Sequence, residues 1–354
     1  MTADKPKRIL VVAPSWIGDM VMAQSLLIRI RREDPSVHIT VFAPAWCLPL
    51  LERMPQIDRT VANVFGHGQL RLAERRKCAR ELAEDRYDLA LVLPHSLKSA
   101  LIPFMAKIPL RRGWLGEMRY ILLNQRYRDK KPMPHLVAQY NALAWDPRDF
   151  SPDLVAECPN PQLTAHPEAA PEILARFGIS SEGPALGLCP GAEYGPAKRW
   201  PETHFARAAA IWIRRGGSVH IFGGPKDKPV AEAIRAVLPG ELRERCHVVA
   251  GLTTLPEVAD LLSACRGVIT NDSGLMHVAA AVGTPLVAVY GSSTTDYTPP
   301  LSDRAVALYL KDLSCRPCFK RQCPLGHARC LADISPERVM EALDGLLGRA
   351  EDAR

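Results

Sequence analysis

No stretch of this 354-residue chain stays apolar for long enough to cross a bilayer. The early apolar run, Ile9 to Ala13, is shorter than a signal-peptide core, so a cytoplasmic protein is expected. No zinc-finger spacing with paired His, RNA-binding aromatic pair or helix-turn-helix stands out, so nucleic acid is not an expected partner. The glycine loops lack G-x-G-x-x-G, which argues against a dinucleotide-dependent oxidoreductase. Internal repeats and low-complexity tracts are also missing. Acidic residues are scarce in one half only. Residues 1–150 carry 24 Lys/Arg against 15 Asp/Glu, a balance of +9, whereas the remainder has 21 against 23. Such an excess suits an anionic partner: a phosphorylated acceptor or an anionic membrane face. A merely solvated surface is the bland alternative.

What the chain does have is alternation. Apolar runs that suit buried parallel strands, such as Arg8 to Pro14, Val37 to Phe42 and Tyr87 to Leu93, are separated by helical patterns at Met20 to Arg32 and Leu70 to Asp85. Prolines recur at 152, 159, 161, 167, 171 and 184, which suits an interdomain connection. A second series of strands and helices starts at Ala185 and closes with a helix from Pro336 to Leu347. The length and this order predict two α/β domains with doubly wound sheets. Residues 1–165 and 185–335 form the domains, 166–184 the linker, and 336–354 the closing helix.

Chemistry concentrates where strands turn into helices. Asn271-Asp272-Ser273-Gly274-Leu275-Met276-His277 lies between a strand-like run and a small-residue helix. Gly274 permits close approach to a ligand, and the free N–H groups of the helix start favour an anion. Asp272 and His277 add side chains suited to sugar hydroxyls or phosphate; an Asp/Ser cap with a partly buried His is the rival. Gly18-Asp19 follows the first strand, where a carboxylate can act as a general base or simply cap a helix. The Pro190 to Pro201 segment, with Gly191 and Lys198, offers amides and positive charge for a departing diphosphate. Gly223 and Asp227 repeat the theme for a ribose or nucleobase, with a plain turn nearly as suitable. Cys315, Cys318, Cys323 and Cys330 enclose His327. A structural zinc is one reading of that spacing, and reduced thiols or a redox-labile cluster are the others.

In this order and spacing the motifs resemble the bacterial lipopolysaccharide heptosyltransferases, glycosyltransferase family nine. The likeness covers nearly the whole chain. It rests on Ala13 to Met22, Pro190 to Pro201, Asp272 to His277 and the Cys315 to Cys330 loop. The resemblance implies a GT-B architecture of two Rossmann-like domains facing across a cleft. The first domain takes the acceptor and the second takes ADP-heptose, while the last helix packs back on the first domain. It implies inverting heptose transfer to the first heptose of the inner core, carried through Kdo on lipid A, without a cofactor for the chemistry. By motif, Asp19 is the expected base and Lys198 the lysine near the donor phosphates. Gly18, Gly191, Gly223, Asp227, Asp272, Ser273, Gly274, Leu275 and His277 complete the expected donor set. Lys98, Arg111 and Arg112 are expected acceptor contacts, on charge and location alone. Peripheral contact with the anionic inner membrane face is expected too. Transfer by another core heptosyltransferase specificity, or a non-catalytic regulator using the cysteine loop, are the alternatives.

Overall fold

The computed structural model describes residues 7–66, 69–180 and 183–352. Residues 181 and 182 of the expected linker, and 353 and 354 of the closing segment, lie outside them. The chain divides into two units, Met1–Pro161 and Gln162–Arg354.

In the first unit the order is β1 (Arg8–Val12), α1 (Ile17–Glu33), β2 (His38–Pro44), α2 (Leu48–Leu51), β3 (Arg59–Asn63), α3 (Leu72–Ala83), β4 (Leu89–Val92), α4 (Leu97–Met105), β5 (Leu110–Trp114), β6 (Gln125–Tyr127) and α5 (Leu136–Ala142). Its strands form one parallel sheet ordered β3-β2-β1-β4-β5-β6. The run Ile9-Leu10-Val11-Val12 is buried throughout, as a central parallel strand covered on both faces must be. Leu10, Val12, Phe42, Ala90 and Val92 pack with Leu82 and Ile102 in one core under α3 and α4.

The second unit runs α6 (Ala170–Ala175), β7 (Ala185–Cys189), α7 (Glu202–Arg214), β8 (Ser218–Ile221), α8 (Lys228–Val237), β9 (Cys246–Val248), α9 (Leu255–Ala264), β10 (Gly267–Asn271), α10 (Gly274–Ala281), β11 (Leu286–Val289), β12 (Ala305–Leu308), α11 (Arg329–Ala332) and α12 (Pro336–Asp352). Its parallel sheet is ordered β12-β11-β10-β7-β8-β9. Counted within each unit, the two orders are the same doubly wound pattern. Each therefore has one switch point, β1/β4 in the first and β7/β10 in the second, where the outer carboxyl edge takes a ligand.

Within the expected linker α6 packs on α9, and just before it the Leu163 N–H donates to the Ala281 carbonyl at 3.0 Å. The closing helix α12 packs on the second unit. Val339, Met340 and Leu343 sit in the core of the second unit with Leu188, Trp212 and Val289. Ion pairs Arg207–Glu337 and Arg215–Asp344 fasten it to α7. An apolar helix face shows that a partner is needed, not which one.

Candidate active site

At the carboxyl edge of the second sheet, three functional side chains meet. Lys198, on the turn Pro196–Lys198, places Nζ 2.5 Å from Asp272 Oδ2 at the end of β10. Ser293, just after β11, donates its hydroxyl to the same oxygen. Asp272 is only 4% exposed and Lys198 side chain 17%, so this is a nearly dry ion pair with one extra donor. Asn271 organises the surround. Its amide donates to Pro190 O at 2.7 Å, and its carbonyl accepts the Trp200 N–H at 2.9 Å. One side chain thus ties both ends of the 190–200 segment to the sheet. Tyr194 covers Lys198, whose ammonium lies 5.2 Å from the ring centre.

Helix α10 starts beside this pair. Ser273 is its N-cap residue but makes no side-chain capping bond, so the first-turn amides are available at that end. Ser273, Gly274 and Leu275 are half-buried, whereas His277 is buried. Burial first, and Lys198 second, push the His277 pKa down to about 4 against the pull of Asp272. The ring is neutral at physiological pH. Burial likewise brings His95 and His220 down to about 4. Below their ordinary 6.5 the unfolded chain takes up protons that these rings refuse when folded. Stability therefore falls as pH drops from 6.5 towards 4, by up to about 1.4 kcal/mol per pH unit for each ring. The thermal midpoint is expected to fall between pH 7 and 5, less steeply in His220→Phe. A flat midpoint in both proteins would contradict this.

Gly191 and Gly223 both lie hard against Asp227. A Cβ on either would come within 2.6 Å of Asp227. Asp227 Oδ2 in turn accepts the Gly224 N–H at 3.0 Å. The aspartate locks two glycine turns together, and its capping role is the one visible in the structure. Ser293 belongs to no motif in the sequence. Its signal was position: another carboxyl-end turn of the same sheet.

The cysteine loop forms the back of this edge. The Ala197 N–H donates to Arg321 O at 3.1 Å, and Arg316 donates to Gly291 O and Ser293 O at 2.9 and 2.8 Å. Cys315, Cys318, Cys323, Cys330 and His327 line a cavity of about 20 Å³ and all four sulfurs are free thiols. Among the described residues, no three His, Cys, Asp or Glu side chains are grouped so as to hold a metal ion. Cys323 accepts backbone N–H bonds, from Ala328 first, which hold its thiol pKa down.

In the first unit, Asp19 lies in the first turn of α1, half-buried, directly after β1 and next to buried Gly18. Trp16, not Asp19, is the N-cap. Lys98 stands in the first turn of α4, at the carboxyl edge of the same sheet. Arg111 and Arg112 both lie on β5. Arg111 donates to the carbonyls of Ile108 and Leu122. Arg112, 6% exposed, reaches Gln125 Oε1 at 2.8 Å and the carbonyls of Leu143 and Ala144 at 2.9 and 2.8 Å. Both guanidinia satisfy backbone groups around β5.

Comparison with known proteins places these features in a family. Residues 75–329 match the family model for glycosyltransferase family 9 (heptosyltransferase). The chain is 46% identical over 350 residues to the lipooligosaccharide heptosyltransferase 2 of Haemophilus influenzae, covering 96% of this chain and 99% of that one. It is also 46% identical over 347 residues to the lipopolysaccharide heptosyltransferase 2 of Escherichia coli, covering 97% and 99%. A solved structure of the Escherichia coli ADP-heptose LPS heptosyltransferase II superposes with a TM-score of 0.87 at 43% identity, covering 97% and 99%.

Proposed function

The chain belongs to glycosyltransferase family 9, the heptosyltransferases, and from that premise we propose how its two sheet edges divide the work of transfer. It is an α/β, GT-B-like glycosyltransferase of lipopolysaccharide heptose transfer. The reading as a non-catalytic regulator has no support among its relatives. In our reading the donor is ADP-heptose, and the acceptor is the first heptose of the inner core on heptosyl-Kdo2-lipid A.

The observation that carries the reading is the Lys198–Asp272–Ser293 cluster beside the start of α10. A diphosphate needs positive charge that grows in effect as the glycosidic bond breaks. Lys198 supplies it, and the α10 amides add theirs through Ser273, Gly274 and Leu275. Asp272 acts through Lys198. Its own charge would repel a diphosphate, but it holds the ammonium in place. In the first unit Asp19 takes the proton from the acceptor hydroxyl as the new bond forms on the face opposite ADP, which inverts the anomeric centre. Lys98 contacts the acceptor. These steps use no divalent ion.

We place the enzyme at the cytoplasmic face of the inner membrane, held there by the +9 balance of residues 1–150. Among the described residues no helix is long and apolar enough to cross a membrane. The test is transfer from ADP-heptose by the purified protein, offered Kdo2-lipid A or heptosyl-Kdo2-lipid A, with and without a chelator. Product is expected only from the second acceptor, at equal rates in both buffers. Transfer to Kdo2-lipid A alone would reassign the specificity. No product from either would end the reading.

A further inference from the structure

At the first unit's carboxyl edge, Lys130, Arg119 and His95 crowd together. Lys130, three residues past β6, places Nζ 3.1 Å from His95 Nε2, three residues past β4. The ammonium also lies 5.6 Å from the centre of the Trp114 ring. Arg119, 1% exposed, is the third member. Its guanidinium binds Pro94 O at 2.7 Å, Ser96 O at 3.1 Å and Ser99 Oγ at 3.0 Å, and so fixes the loop that carries His95. Lysine has only donors, so His95 Nε2 must be the acceptor and the ring proton must sit on Nδ1. Burial, then Lys130 and Arg119, keep that ring neutral.

Lys130 is half-buried, and among the described residues no carboxylate pairs with it. Its neighbour Asp129 instead accepts the Lys131 N–H at 3.0 Å, and Glu117, the acid that Arg119 feels, accepts the Leu97 N–H at 2.7 Å. Burial and Arg119 both pull the Lys130 pKa down, so the free protein holds this charge at a cost that an arriving anion would relieve. One donor of the ammonium goes to His95 and two remain. The location is the ligand edge of a doubly wound sheet: His95 follows β4 at the β1/β4 switch point, and Lys130 reaches it from the end of the edge strand β6.

We propose that Lys130, set in place by His95 and Trp114, binds an oxyanion of the acceptor, either a sugar carboxylate or a phosphate. The inference rests on the transfer reading above and names the acceptor chemistry that the first unit recognises. His95 is a positioning residue, and Arg119 holds its loop.

The test uses Lys130→Met, which keeps the stem against Trp114 and removes the charge. Binding of de-acylated heptosyl-Kdo2 acceptor is measured by calorimetry, alongside steady-state transfer. The acceptor Kd and KM are expected to rise about tenfold or more, with kcat and the ADP-heptose KM within about twofold of wild type. Lys130→Arg should recover most of the loss. Acceptor with amidated carboxylates, and acceptor stripped of phosphate, identify the source: the relevant one binds wild type as weakly as it binds Lys130→Met. Unchanged acceptor affinity in Lys130→Met, with wild type active, would overturn the site alone. Wild type that neither binds nor uses the acceptor would overturn the transfer reading itself.

Discussion

Asp19→Ala is expected to lose most turnover, about 10²–10⁴-fold in kcat, while binding ADP-heptose as the wild type does. The acceptor hydroxyl is a poor nucleophile until its proton has somewhere to go, and Asp19 is the carboxylate offered by the first turn of α1. The helix should survive the change. Its N-cap is Trp16, and an acid in the first turn is worth about 0.3–1 kcal/mol to the helix. Asp19→Asn separates charge from shape and should be as inactive. Calorimetry with ADP-heptose and a rate assay on the same preparation check both halves. Near-normal transfer by the alanine variant would remove Asp19 from the reaction. Lost donor affinity would move its role to binding.

Lys198→Ala should be damaging twice over. It removes the cation proposed to meet the diphosphate, and it strands a carboxylate that is 4% exposed, with Ser293 as the partner left on that oxygen. Removing one member of such a pair costs about 3–5 kcal/mol of stability. Losing a charge-stabilising donor costs about 10²–10³-fold in rate. The two effects come apart in Lys198→Met with Asp272→Asn. That double variant has no stranded charge, so its thermal midpoint should recover much of the loss while transfer stays low. A double variant with restored activity would mean that Lys198 is there for the fold and not for the diphosphate.

The sequence made the central strands legible because they are continuous apolar runs. Arg8 to Val12, Ala185 to Cys189 and Gly267 to Asn271 need no partner to declare themselves. It hid β5, whose Leu-Arg-Arg-Gly-Trp reads as a basic surface segment. Charge in the sequence did not reveal that the guanidinia of the same two arginines end on backbone carbonyls. The donor turn at 271–277 was readable as a motif. Its partner Ser293 was not, being 21 residues further on in a segment without pattern. His95 and Lys130 are 35 positions apart and meet only through strand order.

Asn271 leaves the stretch from Pro190 to Trp200 moored at both ends before anything binds. A mimic of the departing diphosphate would meet a receptor already in shape and would forfeit little entropy in ordering it. Rigid, doubly anionic compounds should gain more here than flexible ones of equal charge.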